Sequence, residues 1–457
     1  MIDMTKGSPL KLITKFMLPL LLGNVLQQLY NVVDSIVVGN FVGPEALAAV
    51  SNSFIVMFLL MSLFGGIGMG ATILIAQFLG AKQNEDIKRT VDTMYITLFV
   101  GGLALSLFGF FMAPTLLKLL NTPEGSITEM STIYLRTITV GLILNFGYSV
   151  NNGILQGIGD GKSSLLFLGI ATVINIVLDL LFVAFFGLGV FGVALATIIA
   201  QGFSFIFGIF YINKKITVFK VRLKGMKFSP DILRKSLKIG FPAAIQNMLV
   251  SLGVLLLQRL INSYGSTFMA GFSAGAKIDA FVFMPIMSFG SAMTTFVGQN
   301  IGAKRLDRVK IGVRTTLALA LGLSLLLSAA CILCGKFLLH AFVDDAAVIA
   351  VGQEYIFRVM IGFPFLAILF VLSAVIRGAG QTTVPLVTTI ISMLGARISS
   401  AYFYAEHFGQ NNIFWCFATD WLVSAVILGV YYLSGHWKKK CMQFINDKAP
   451  LTEGTEA

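Results

Sequence analysis

The sequence predicts an all-α integral membrane protein: twelve transmembrane helices in two pseudo-symmetric six-helix lobes. Four observations predict this. Of the 457 residues, 56% are hydrophobic and only 12% charged, and the mean hydropathy is +0.87. Apolar runs of about 20 residues, long enough to cross a bilayer, recur from one end to the other. Basic residues collect in alternate connecting segments. Motifs of the first half return in the second at an offset of about 222 residues.

The apolar runs place spans near 12–39, 47–78, 90–112, 131–155, 164–186, 191–212, 239–261, 268–298, 311–334, 352–375, 384–407 and 413–434. The first run is too long for the core of a signal peptide and no small-residue cleavage site follows it, so no cleaved leader is expected. With the N-terminus in the cytoplasm, 25 Lys and Arg residues fall in inner segments and only Lys118 and Lys336 in outer loops. That imbalance obeys the positive-inside rule and implies an even number of spans with both termini cytoplasmic. It also accounts for the net charge of +12, so nucleic acid is not expected as a partner. The most polar segment, 213–238, carries nine Lys and Arg and Pro230, and reads as a basic cytoplasmic linker. It divides an N-terminal lobe, 1–212, from a C-terminal lobe, 239–434, with a cytoplasmic tail at 435–457.

The two halves repeat. Gln77 to Lys82 (QFLGAK) returns as Gln299 to Lys304 (QNIGAK), Gln156-Gly157-Ile158-Gly159-Asp160 as Arg377-Gly378-Ala379-Gly380-Gln381, Tyr134-Leu135-Arg136 as Ile356-Phe357-Arg358, and Pro19 as Pro242. Because six spans is even, both copies have the same topology, so the repeat is of the parallel kind, with a site expected between the lobes near the midplane. Gln156 to Ser163 ends in Gly161-Lys162-Ser163 but lacks the first glycine of a phosphate loop, which excludes nucleotide binding there and leaves a tight turn.

Charge inside the spans is the sharper signal. A carboxylate at mid-membrane costs about 2.5–3.5 kcal/mol on insertion scales, so it points to function. Asp34 lies in span 1 and Asp179 in span 5. Asn175 is four residues before Asp179 and Tyr30 four before Asp34, so each shares a helical face with its acid. Thr197, early in span 6, falls at the same level. Two carboxylates, an amide and a hydroxyl suit a hard cation, which takes oxygen ligands, and equally a proton shared by two close acids. Candidate ion-binding residues are therefore Asp34, Asn175, Asp179 and Thr197, which would also hold a sodium ion. The C-terminal positions matching these acids are Leu257 and Ser400, so the coupling site is expected in one lobe only. Asn145, Tyr148 and Asn152 form one stripe of span 4 and are candidate cavity residues. Arg397 and Asp420 fall at similar depth and read as a structural ion pair, while Lys277 and Asp279, two apart, do not share a face and either could line a cavity. Glu354 and Arg358, four apart, read as a helix-surface pair. Cys331 and Cys334 sit in an apolar run and read as packing residues rather than a metal or redox site. Gly65, Gly66, Gly68 and Gly70 read as a place where span 2 packs closely or bends.

Taken together, Pro19, Gly23, Gln27, Tyr30, Asp34, Gly39 and Ala46 to Ala49, with the two Gly-Ala-Lys turns, the Gln156-Gly157 and Arg377-Gly378 pairs and Asn175, Asp179 and Thr197, resemble the multidrug and toxic compound extrusion (MATE) family over about residues 8–435. The DinF-like branch is the most similar. The resemblance implies twelve helices in two lobes around a V-shaped cavity. It implies efflux of small organic, often amphiphilic or cationic, compounds by antiport with protons or sodium ions, and it gives the coupling role to Asp34, Asn175, Asp179 and Thr197. Gln27 and Tyr30 are expected beside them, and Pro19 and Gly23 as a hinge in span 1. The acids that other members carry in helices seven and ten have no counterpart here near Val250 and Leu366.

The expectation is a multi-pass transporter of the plasma membrane, monomeric, in contact with membrane lipid, with no cofactor beyond the coupling ion. The alternative is a lipid-linked oligosaccharide flippase of the same superfamily, which would be expected to line its cavity with Lys or Arg. An enzyme is not expected, because no nucleophile–base set is visible.

Overall fold

The computed structural model describes residues 2–119, 122, 125–222 and 224–438. The basic tail residues Lys439, Lys440 and Lys448 lie outside the described residues. The helices in chain order are α1 (Pro9–Phe41), α2 (Pro44–Gly80), α3 (Asn84–Leu119), α4 (Ser126–Val140), α5 (Leu142–Gly157), α6 (Gly161–Asp179), α7 (Gly189–Lys215), α8 (Pro230–Asn262), α9 (Ser266–Gly302), α10 (Leu306–His340), α11 (Ala346–Gly378), α12 (Thr383–Thr389), α13 (Ile398–Phe408) and α14 (Trp415–Leu433). A π-helical stretch, Leu180–Phe185, continues α6, a second, Ile390–Arg397, joins α12 to α13, and a 3₁₀ turn, Gln410–Phe414, leads into α14. Among the described residues, eleven helical segments are long and apolar enough to cross a membrane, and the pair α4 and α5 makes a twelfth if it is one span.

Repeat-related helices match in length. The helices α1 and α8 both have 33 residues and an internal proline, Pro19 or Pro242, while α2 and α9 both have 37. The repeated motifs are helix stops. Lys82 and Lys304 both take left-handed backbone, at φ 58° and 59°. The following amides reach back five residues, Gln83 N–H to the Phe78 carbonyl (2.9 Å) and Arg305 N–H to the Asn300 carbonyl (2.7 Å). This is the Schellman closure, which satisfies carbonyls left over at a helix end. The second motif repeats the device with glycine at the left-handed position, Gly159 at φ 78° and Gly380 at 80°. Asp160 then caps α6, accepting from the Ser163 amide at 3.3 Å and the Ser163 hydroxyl at 2.7 Å. The lysine of Gly161-Lys162-Ser163 thus belongs to a helix start, as the turn reading requires.

The repeat breaks in span 4. Span 4, expected as one helix over 131–155, is two helices bent by 54° at Gly141. A side chain at Gly141 would put its Cβ 2.3 Å from Ile198 Cγ1, so close packing with α7 demands glycine there. Its counterpart α11 runs unbroken for 33 residues.

The chain divides into two compact units, one of Met1–Asp3, Lys15–Leu79 and Gln83–Ala244, the other of Met4–Thr14, Gly80–Lys82 and Ile245–Ala457. Within the first, Gly66 and Gly70 press on the start of α8. A Cβ at Gly66 would lie 2.4 Å from the Gly240 carbonyl oxygen, and one at Gly70 would lie 2.2 Å from that of Ser236. Gly65 and Gly68 have nothing within 4 Å, so only alternate members of the glycine group serve close packing.

The basic segment is better ordered than a solvated linker needs to be. Asn213 and Val221 exchange two hydrogen bonds, Asn213 Nδ2 to the Val221 carbonyl (2.8 Å) and Val221 N–H to Asn213 Oδ1 (2.6 Å). Ile216, Phe219 and Val221 are buried. Ser229 N–H donates to Thr93 Oγ1 at 3.1 Å, and α8 begins at Pro230, ahead of the expected 239.

Candidate ion-binding site

The candidate site lies within the first unit, on α1, α6 and α7, with α4 behind. Its acids are delivered by ordinary helix geometry: Tyr30 and Asp34 lie one turn apart on α1, Asn175 and Asp179 one turn apart on α6. Helices α6 and α7 pack along their lengths, joined by the short turn at Phe186–Leu188, and this brings Thr197 opposite Asn175. Asp179 is the last α-helical residue before the π-helical stretch Leu180–Phe185. Such insertions change which side chains share a face and recur at functional sites.

Asp34 and Asp179 have their carboxyl groups within hydrogen-bonding range of each other. Asn175 flanks Asp179. The Asn175 amide donates to Thr197 Oγ1 at 3.5 Å, and the Tyr30 hydroxyl is bonded to the same Thr197 Oγ1 at 3.1 Å. The result is a chain of contacts from Tyr30 through Thr197 and Asn175 to the two acids. Asp179 is fully buried and Asn175 is 1% exposed. Both Asp179 carboxylate oxygens, one Asp34 oxygen and the Asn175 carbonyl oxygen are buried and accept no well-formed hydrogen bond among the described residues.

Four buried acceptors without a well-formed hydrogen bond are an unstable arrangement by themselves. Two carboxylates facing each other cannot hydrogen-bond unless one carries a proton, and each uncompensated buried charge costs several kcal/mol. A proton or a small oxygen-seeking cation relieves that cost, since either supplies the positive charge the oxygens lack. Among the described residues no group of three or more His, Cys, Asp or Glu could hold a metal, so any cation here would take the amide and hydroxyl oxygens besides the carboxylates.

Around this core, α1 and α7 pack through Val37, Val38, Val190 and Val193, with Val33 and Tyr134 against them. The Tyr134 phenol lies close enough to feel the charge of both acids. It sits on α4 and was visible in the sequence only as part of a repeat motif, because a tyrosine near a span end has many ordinary reasons to be there.

Other predicted residues stand elsewhere. Gln27 is exposed on α1. Asn145 is hydrogen-bonded to Gln201, and Asn152 accepts from Gln156 at 3.5 Å. Of that stretch Asn151, not Asn152, is the fully buried amide, held by the Tyr95 hydroxyl and the Phe205 carbonyl. No hydrogen bond joins Asn145, Tyr148 or Asn152 to the acids among the described residues. Pro19 lies inside a helix that continues through it, and a Cβ at Gly23 would meet only Leu168 Cδ2, at an ordinary 3.6 Å.

In the second unit, Arg397 and Asp420 form an ion pair, 6% and 4% exposed. Of the pair Lys277 and Asp279, Asp279 lines a cavity, while Lys277 is exposed and its Nζ stands 5.5 Å from the Phe342 ring centroid. Arg358 pairs with Glu354.

A repeat of long apolar helices with a buried acid pair in one half defines a multi-pass helical transporter rather than an enzyme. A profile of the MatE family matches residues 19–181 and 242–403, the body of each half, and the chain belongs to that family. It is 32% identical over 443 residues to the probable multidrug resistance protein YpnP of Bacillus subtilis, covering 95% of this chain and 97% of that one. It is 27% identical to the probable multidrug resistance protein NorM of Thermotoga maritima, covering 94% of each. Among solved structures, an outward-facing multidrug resistance MATE family transporter of the MOP superfamily superposes with a TM-score of 0.89 at 23% identity, over 96% of this chain and 98% of that one. A MOP superfamily transporter from Pyrococcus furiosus gives 0.87 at 23% identity, over 96% and 97%. These structures share the two-lobe fold, and at that identity they speak to fold alone.

Proposed function

We propose that the protein is a plasma-membrane multidrug exporter that drives small organic, often cationic, compounds outward in exchange for a proton or sodium ion taken up at Asp34 and Asp179. Both termini lie in the cytoplasm in this reading, which follows the distribution of basic residues. The family and the names of its relatives support export of drug-like compounds. The observation that supports the coupling role is the facing carboxyl groups of Asp34 and Asp179, with both Asp179 oxygens and one Asp34 oxygen buried and without a well-formed hydrogen bond among the described residues.

The ion enters from outside, cancels the repulsion between the two acids, and lets Asn175 and Thr197 contribute their oxygens. The neutralised site then favours the state that releases substrate. Moving one charge through about 150 mV is worth roughly 3.5 kcal/mol, enough for about a 300-fold concentration ratio. A flippase of lipid-linked sugars would want basic residues at its charged site, and neither acid here has a basic partner among the described residues.

The test is dye efflux from whole cells. Asp34→Asn is expected to insert normally and to abolish active efflux of a cationic dye. Efflux at the wild-type rate would refute the assignment.

A further inference from the structure

The second unit contains a cavity of about 330 Å³ within its own helices, walled by apolar side chains and by four charged ones: Asp279, Arg377, Arg397 and Asp420. The charges cancel, two against two, yet they do not satisfy one another. Arg397, the last residue of the π-helical stretch Ile390–Arg397, gives one guanidinium nitrogen to Asp420, while its Nε is buried and has no hydrogen-bond partner among the described residues. Asp279 accepts from the Tyr355 hydroxyl through Oδ2 (3.1 Å), while Oδ1 is buried and has no hydrogen-bond partner among the described residues. Arg377 Nε likewise has no hydrogen-bond partner among the described residues. One wall is aromatic, with Phe417 under the Arg397 guanidinium at 4.7 Å and Trp421 against Phe417.

A purely structural ion network would close on itself, because unsatisfied buried charged groups are costly. This one leaves an acceptor and two donors without a hydrogen bond among the described residues, on side chains that wall a cavity of drug-like size. The geometry points to a ligand subsite for a zwitterionic amphiphile: an ammonium group against the Asp279 carboxyl group, a carboxylate against the Arg397 guanidinium, and an apolar body on the Phe417 and Trp421 wall. Net neutrality sets the preference. A zwitterion leaves the low-dielectric cavity neutral, whereas a singly charged ligand leaves one buried charge unbalanced. The export role of this subsite rests on the transport reading above, but its occupancy does not.

Three probes with the same dansyl body test it: Nε-dansyl-lysine (zwitterion), dansylcadaverine (cation) and N-dansyl-6-aminohexanoate (anion). Each is titrated into the purified full-length protein in nanodiscs, with energy transfer from tryptophan to dansyl as the readout and empty nanodiscs subtracted. The zwitterion is expected to bind at least tenfold more tightly than either relative. Asp279→Asn is expected to remove its advantage over the anion. Arg397→Lys, which keeps a cation beside Asp420, is expected to reduce its advantage over the cation. Trp421→Phe is expected to remove most of the energy transfer. Asp34→Asn, which stops transport, is expected to leave the probe order intact, so failure of the coupling site and failure of this subsite are read separately. Equal binding of the three probes by the wild-type protein, within twofold, or unchanged zwitterion binding by a folded Asp279→Asn protein, would overturn the inference. The wild-type comparison decides the matter even if a variant does not fold.

Discussion

The carboxyl groups of Asp34 on α1 and Asp179 on α6 stand within hydrogen-bonding range of each other, and neither Asp179 oxygen accepts a well-formed hydrogen bond among the described residues. The fold brings two like charges together where water is scarce and gives them an amide and a hydroxyl as company. Each prediction about coupling follows from that contact.

Asp179→Asn should be as damaging to efflux as Asp34→Asn, and the double variant no worse than either. The two acids act on one ion, so the second loss has nothing left to remove. Initial efflux rates in cells, normalised to the amount of inserted protein, check this.

Thr197→Ala should weaken ion binding about fivefold, and Thr197→Ser should restore it. The Thr197 hydroxyl is shared by Tyr30 (3.1 Å) and Asn175 (3.5 Å), and one such hydrogen bond is worth about 1 kcal/mol. Tyr30→Phe should have a smaller effect of the same sign, since it frees the hydroxyl without removing it. Half-saturation of transport by the coupling ion is the measurement.

If sodium is the ion, acid should compete with it. A carboxylate holds a metal only when deprotonated, so sodium binding should weaken as pH falls, by at most tenfold per pH unit for one shared proton, and should level off as pH rises. Isothermal titration with sodium across the pH range reads the slope. A flat profile would mean that sodium and protons do not meet at these oxygens.

Arg397→Leu should destabilise the second unit by about 3–5 kcal/mol, because it strands Asp420 as an unpaired buried charge. The double variant Arg397→Leu with Asp420→Leu should recover most of the loss. Gly70→Ala tests packing rather than charge. Its Cβ would fall 2.2 Å from the Ser236 carbonyl oxygen, a backbone atom that cannot swing aside, so a loss of about 1–3 kcal/mol is expected while Gly68→Ala is neutral. Thermal unfolding in a fixed detergent compares all four.

The span pattern was legible in the sequence because the bilayer leaves so few solutions to a chain this apolar. The repeated Gly-Ala-Lys turns were legible as a repeat, though not as left-handed helix stops, since lysine is an uncommon choice for positive φ. Asp34 and Asp179 stood out because a carboxylate inside a span is expensive, and that expense is visible without coordinates. Tyr134 did not stand out, nor did the π-helical stretches after Asp179 and before Ile398, because neither has a composition of its own. The bend at Gly141 was hidden inside an unbroken apolar run, where the deciding contact is with Ile198 on another helix. The orphaned polar atoms of Asp279 and Arg397 could be found only by placing every possible partner.

Transport by purified protein in proteoliposomes, with sodium and proton gradients imposed separately, tests the central claim most directly. The account predicts that one of the two gradients drives uphill movement of a cationic dye by the wild-type protein, and that neither gradient does so for Asp34→Asn or Asp179→Asn. Gradient-driven accumulation by either variant at the wild-type rate would contradict it.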